Sequence, residues 1–186
     1  MNLHGTEPPS PWLQRWGHLI PANSHVLDVA CGAGRHMRWM HDLGHRVLGV
    51  DASREALALA GAYGETLLAD LENAPWPLPG RTFDAVVVTH YLWRPLWPFL
   101  ISALAPGGVL IYETFAQGQQ TVGRPSRAEF LLAPGELLQL SAGLRTIAYE
   151  DGFLTGPERF VQRLVAVRET PVAAPMRWPL NPSPTT

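Results

Sequence analysis

HVLDVACGAGRH (25–36), RVLGVD (46–51) and ETLLAD (65–70) are the stretches whose reading decides the fold. Each opens as a short apolar run rich in Val and Leu, too short for a helix and bounded by glycines or by an acid, and so predicts a buried strand. The first stops at CGAGR, where a helical segment opens and runs to about Leu43, with Gly44 after its end. The second stops at Asp51-Ala52-Ser53, which opens a helix reaching about Ala60; Gly61 and Gly64 follow it. Strand, helix, strand, helix, strand is the alternation of parallel strands joined by crossover helices.

The rest of the chain extends that order. Ser10-Pro11 reads as an N-cap and a proline at the first helical position, with Trp12, Leu13, Trp16 and Ile20 near one face and Pro21 after the helix. ENAPWPLPG (72–80) is a loop, because no helix or central strand takes three prolines so spaced. FDAVVVTHYL (83–92) is the strongest strand signal, PLWPFLISAL a short helix starting at proline, Pro106-Gly107-Gly108 a turn, and VLIYETF (109–115) a fifth strand. Residues 116–132 form a long loop, PGELLQLSAG a helix ended by Gly143, and LRTIAYED and RFVQRLVAVRE a closing hairpin around GFLTGPE. The prediction is an α/β fold: a single Rossmann-like doubly wound sheet of about seven strands, mostly parallel with a C-terminal antiparallel strand. Its parts are an N-terminal extension with one short helix (1–22), the main domain (23–169) and a Pro-rich flexible tail (170–186); residues 1–11 and 170–186 read as poorly ordered or draped on the surface.

Composition excludes several chemistries. The 186 residues suit one domain, 46% are hydrophobic, and the net charge is −2. All 14 basic residues are arginines, so Schiff-base or lysine-base chemistry and a lysine-bearing phosphate loop are out. Cys31 is the only cysteine, which excludes an internal disulfide and an all-cysteine metal site. The near-neutral balance lacks the basic footprint of a nucleic-acid binder. No apolar run is long enough to cross a membrane, and the first residues lack the pattern of a signal peptide, so the expectation is a soluble cytoplasmic protein.

In an open α/β sheet, ligands bind beyond the carboxyl ends of the strands. There lie Cys31-Gly32-Ala33-Gly34, Asp51, Asp70 and Thr89-His90-Tyr91. Glycines let backbone turn tightly and approach a ligand, with N–H groups at a helix start to receive an anion. Asp51, 17 residues after Gly34, suits two ribose hydroxyls, and Asp70 an adenine amine. Alone, each has a plainer explanation: G-x-G serves many turns, Asp51 a helix cap, Asp70 a surface turn. Met37 stands where a nicotinamide fingerprint would place its third glycine.

Together, VLDVACGAGRH, VLGVD and LLADLE resemble the class I S-adenosylmethionine-dependent methyltransferases, and LAPGGVLIYETF (104–115) resembles that family's later P-G-G strand entrance. The resemblance implies S-adenosylmethionine as cofactor, with Asp28, Ala30, Cys31, Gly32, Gly34, Asp51, Ala52, Asp70 and Leu71 around it, and in-line attack on an already activated methyl group. No metal is required; His36, His41 and His45 read as helix surface and helix end. The segment after the fourth strand lacks the [D/N]-P-P-[Y/F] of amino-methylating members, which argues against N-methylation of adenine, cytosine or protein glutamine. His90 is the candidate general base, Tyr91 a pocket residue and Arg94 an anchor for an acidic acceptor. Arg124 and Arg127, on a lid-like loop, would hold an anionic acceptor; Trp12 and Trp16 either cover it or, at helical spacing, belong to the core. Cys31, in a helix-start turn, could have a lowered thiol pKa. The reading is methyl transfer to a small-molecule acceptor by a monomer or homodimer without nucleic-acid or membrane partners. The alternatives are an RNA or protein methyltransferase, or a non-catalytic module that binds S-adenosylmethionine and regulates a partner.

Overall fold

The computed structural model describes residues 7–170 and 176–182. Seven strands form one sheet: β1 (His25–Val29), β2 (Arg46–Asp51), β3 (Glu65–Leu68), β4 (Phe83–Thr89), β5 (Leu104–Phe115), β6 (Arg145–Thr155) and β7 (Glu158–Val167). Their order is β3-β2-β1-β4-β5-β7-β6. The first five run parallel, while β7 is antiparallel to both β5 and β6. The helices are α1 (Pro11–Trp16), α2 (Arg35–Asp42), α3 (Arg54–Ala60), α4 (Trp97–Ser102) and α5 (Glu136–Leu140).

The alternating side chains of the strands build two cores, one on each face. In β4, Ala85 and Val87 join Trp12, Leu13, Trp16, Met37, Met40 and Leu57 from α1, α2 and α3. Val86 and Val88 point the other way and join Trp97, Leu100 and Leu137 from α4 and α5. All four β4 residues are fully buried, as a parallel strand covered on both faces requires.

One feature departs from the sequence reading, and two others decide between alternatives it left open. Pro106-Gly107-Gly108 lies inside β5, where the pairing with β4 jumps from Phe83↔Leu104 to Ala85↔Val109; Gly107, at φ +79°, takes up the irregularity as a bulge rather than a turn. Trp12 and Trp16 are core, not a cover, with Trp12 Nε1 donating to the Leu164 carbonyl of β7. The tail is not wholly apart from the body, since Trp178 packs against the α1 core and the Pro179 carbonyl lies 3.0 Å from a ring nitrogen of His18. Residues 1–6, 171–175 and 183–186 of the predicted extension and tail lie outside the described residues. Among the described residues no helix is long and apolar enough to cross a membrane.

Candidate active site

The carboxyl ends of β1 to β5 share one edge of the sheet. Moving across it, one meets Asp51 after β2, the 30–34 turn after β1, Thr89 and His90 after β4, and Glu113 to Phe115 at the end of β5. Because β7 is antiparallel, it brings its beginning to this same edge: Phe115 pairs with Val161, and the Ala116 N–H donates to the Phe160 carbonyl.

The turn after β1 is held in left-handed backbone at three points, with φ +55° at Ala30, +54° at Gly32 and +83° at Gly34. A Cβ at Gly34 would stand 2.9 Å from the Cα and Cβ of Ala60, so only glycine lets α2 leave the strand this close to α3. Asp51 fixes the turn from the side. Its Oδ2 accepts the Gly32 N–H at 2.8 Å and its Oδ1 the Ser53 N–H at 2.8 Å. The cap of α3 is Ser53, whose Oγ accepts from Ala56 N. Asp28 lies at the floor of the turn, 1% exposed, with Oδ2 lacking a partner. Burial pushes its carboxyl up to about 8, partly opposed by the charge of Arg35.

A cavity of about 380 Å³ opens over this turn, lined by Ala30, Cys31, Gly32, Arg35, Thr89 and His90 among others. Thr89 Oγ1 lies 3.3 Å from Nδ1 of His36, which is 2% exposed. Burial drives the His36 imidazole down to about 3, and it is neutral. His36 and His45 are thus buried rather than on the helix surface. Among the described residues no group of three or more His, Cys, Asp or Glu is placed to hold a metal ion. Cys31 is inert packing: its thiol donates to the Gly32 carbonyl, and burial, ahead of the charges of Asp28 and Asp51, raises its pKa far above the ordinary value.

His90 marks where a second cavity begins. Its φ is +55° and its ring stacks on Phe115 with centroids 4.9 Å apart. Nδ1 lies 3.3 Å from Arg35 and Nε2 3.2 Å from Arg159. Glu113 stands 3.8 Å from Nε2; it is buried, accepts from Ser10 Oγ and pairs with Arg163 at 2.7 Å. Of these neighbours none carried a role in the sequence reading. Arg35 was visible only as the residue ending CGAGR, and Arg159 and Arg163 only as strand residues.

Other expected residues are engaged elsewhere. Asp70 is exposed and closes its own turn, accepting from Glu72 N, Asn73 N and Asn73 Nδ2, and these bonds lower its pKa. Leu71 is core and Ala52 is exposed. Tyr91 is half-buried, and its carbonyl accepts from the Tyr112 hydroxyl. Arg94 is no open anchor: it pairs with both carboxylate oxygens of Glu136 and donates to the Glu129 and Leu131 carbonyls. Arg127 pairs with Glu129 in solvent, and Arg124 offers its carbonyl to Gln119. The 116–132 loop does reach the site, but through Pro125 and Phe130, which line a cavity of about 250 Å³ with His90, Tyr91 and Phe115.

A sheet in this order, with a glycine turn after β1 and an acid at the end of β2, is the arrangement in which doubly wound α/β proteins hold nucleoside ligands. A family model for the methyltransferase domain matches residues 26–108. The chain is 33% identical over 133 residues to a tRNA U34 carboxymethyltransferase of Shewanella sp. (strain W3-18-1), covering 61% of this chain and 40% of that one. It is 34% identical over 126 residues to a trans-aconitate 2-methyltransferase of Paracidovorax citrulli (strain AAC00-1), covering 62% and 48%. It thus spans less than half the length of these two relatives. An S-adenosylmethionine-dependent methyltransferase structure from Mesorhizobium loti superposes with a TM-score of 0.66 at 20% identity, over 82% of this chain and 95% of that one. Residues 26–108 thus match the methyltransferase domain over a little under half of the chain, and the fold is the one seen in S-adenosylmethionine-dependent methyltransferases.

Proposed function

We propose that the chain transfers a methyl group from S-adenosylmethionine to a small-molecule acceptor. The observation that carries this is the cradle after β1: three residues in left-handed backbone, a buried Asp28 oxygen without a partner, and the Asp51 carboxylate bonded to Gly32, which lines a cavity of about 380 Å³. These features fit the cofactor. A carboxylate has about four lone-pair positions, so Asp51, with two backbone donors, can still accept ribose hydroxyls. Asp28 would face a cationic group, with Ala30, Cys31, Gly32 and Gly34 shaping the turn. Asp70 would contribute through the turn it closes, alongside Ala52 and Leu71.

S-adenosylmethionine supplies a methyl group already activated on a sulfonium, so the protein's share is alignment and exclusion of water. His90 fits a positioning role better than that of a base. A neutral imidazole has one accepting nitrogen, and both nitrogens of His90 face guanidinium groups. The small-molecule reading is supported by the near-neutral chain. The relatives carry names from both classes, one acting on tRNA and one on trans-aconitate. Calorimetry with S-adenosylmethionine and S-adenosylhomocysteine tests cofactor binding, and an extract screen with methyl-labelled cofactor tests transfer. Absence of binding at millimolar cofactor by folded protein defeats the reading; binding without transfer to any extract component favours a regulatory module. Label appearing in RNA or protein replaces the small molecule as acceptor.

A further inference from the structure

Beyond His90 lies a cavity of about 780 Å³, larger than the two already described. It lies between the segment before α1, the overhanging end of the β6–β7 hairpin, and the ends of β4 and β5. Arg35 and His90 line both this cavity and the one over the glycine turn, so the two meet there.

The charges on its wall do not close. Arg163 pairs with Glu113 and Glu150, and Arg35 with Glu7. Arg159 has no carboxylate within ion-pairing distance among the described residues; its guanidinium meets only Nε2 of His90. A neutral imidazole offers one acceptor and one N–H, so it cannot accept from Arg35 and Arg159 at once. One of the two guanidiniums therefore faces a ring N–H: Arg35 keeps the Glu7 carboxylate in either case, whereas Arg159 has at most the single ring nitrogen as acceptor. Arg35 already shows what is accepted here: the carboxylate of Glu7, itself half exposed, lies 3.1 Å from its NH1 at the cavity mouth. Pro9, Leu154 and Pro157 supply apolar lining to the same cavity. Glu7 and Glu113 on the rim and floor repel a ligand carrying many negative charges.

We propose that this cavity takes an organic acid with an apolar body, its carboxylate received by Arg159 and Arg35 beside His90, and that this acid is the methyl acceptor. The word acceptor rests on the methyl-transfer reading; the carboxylate site rests on Arg159, Arg35 and the cavity alone. Planar guanidinium forks match a carboxylate's two oxygens. This moves the anion-binding role from Arg124 and Arg127 to Arg159 and Arg35.

The test is calorimetry on the full chain with phenylacetate, its neutral isostere phenylacetamide, and inorganic phosphate. Phenylacetate should bind about tenfold or more tightly than the amide, the difference of roughly one charged hydrogen bond. Arg159→Gln should reduce that preference below about twofold, Arg159→Lys should keep part of it, and Arg81→Gln, at the far end of the sheet, should leave it unchanged. Equal binding of acid and amide, an unchanged preference in Arg159→Gln, phosphate matching phenylacetate, or no phenylacetate heat up to roughly 10 mM overturns the proposal. Should Arg159→Gln fail to fold, Arg159→Lys decides: a reduced preference with charge retained points to the fork, and full retention counts against it. S-adenosylhomocysteine is titrated into the same samples. Its binding without a carboxylate preference defeats the acid site and spares methyl transfer; the reverse outcome keeps the site and defeats the transfer reading.

Discussion

Asp51 holds two backbone N–H groups and would also hold a ribose, so removing it should be felt twice. In Asp51→Ala, S-adenosylhomocysteine affinity should fall about tenfold or more, since hydrogen bonds to charged groups contribute about 1.5–3 kcal/mol, and the melting temperature should drop as Gly32 N and Ser53 N lose their acceptor. Asp70→Ala should weaken binding less, because that exposed carboxylate is spent on residues 72 and 73; calorimetry on the two variants ranks them, and an equal effect returns Asp51 to a mere turn residue. Gly34→Ala should cost about 2 kcal/mol or more in urea unfolding, the left-handed penalty of an L-residue compounded by the contact with Ala60. Gly34 and Asp51 were legible because a parallel strand ends where its ligand begins, so a motif follows each strand directly. Arg159 was not legible, because it stands at the beginning of its strand and only antiparallel pairing carries it to that edge.

At the level of elements, α5 and the 116–132 loop are tied to the end of β4 through one side chain. Arg94 grips Glu136 and two loop carbonyls, while Gln119 gathers the loop onto Arg124 and Phe160. Arg94→Ala should cost about 2 kcal/mol in urea unfolding and speed proteolysis within 116–132, with S-adenosylhomocysteine affinity held within about twofold. Unchanged cleavage would show that the loop is held by Gln119 alone. The sequence placed the loop at the ligand edge but could not say which of its residues faced inward, because an irregular segment has no period to reveal a face. For α2 the period was present and was misread. His36, Met37 and Met40 form one buried face, and the histidine belongs to that stripe, not to the solvent side.

For the molecule as a whole, two buried groups shape stability against pH when no cofactor is bound. Asp28 keeps its proton to about 8 in the folded state, against an ordinary 3.8. Between those values the folded chain binds more protons than the unfolded, so this group's contribution falls as pH rises and levels off above 8. His36 acts in the opposite sense: folded at about 3 against 6.5, it removes stability as pH drops below 6.5. The two slopes oppose one another in mild acid, and above 6.5 only that of Asp28 remains. The melting temperature should therefore decline by about 2–4 °C or more between neutral pH and pH 8, the shift made by about 1 kcal/mol in a domain of this size. Asp28→Asn should flatten that decline, as thermal scans across the range would show; an unaltered slope in the variant would assign the decline to other groups.

The reversed direction of β7 also divides labour along the chain. The glycine turn and Asp51 come from the segment before residue 60, whereas Glu113, Leu154, Arg159 and Arg163 come from beyond residue 108, where the match to the methyltransferase domain ends. The hairpin beside the larger cavity is closed by a turn at Gly156 and Pro157, and that turn, unlike β7, makes no pairing with the five parallel strands. Selection can therefore rewrite that turn, trading one guest molecule for another, while the nucleoside cradle is inherited intact.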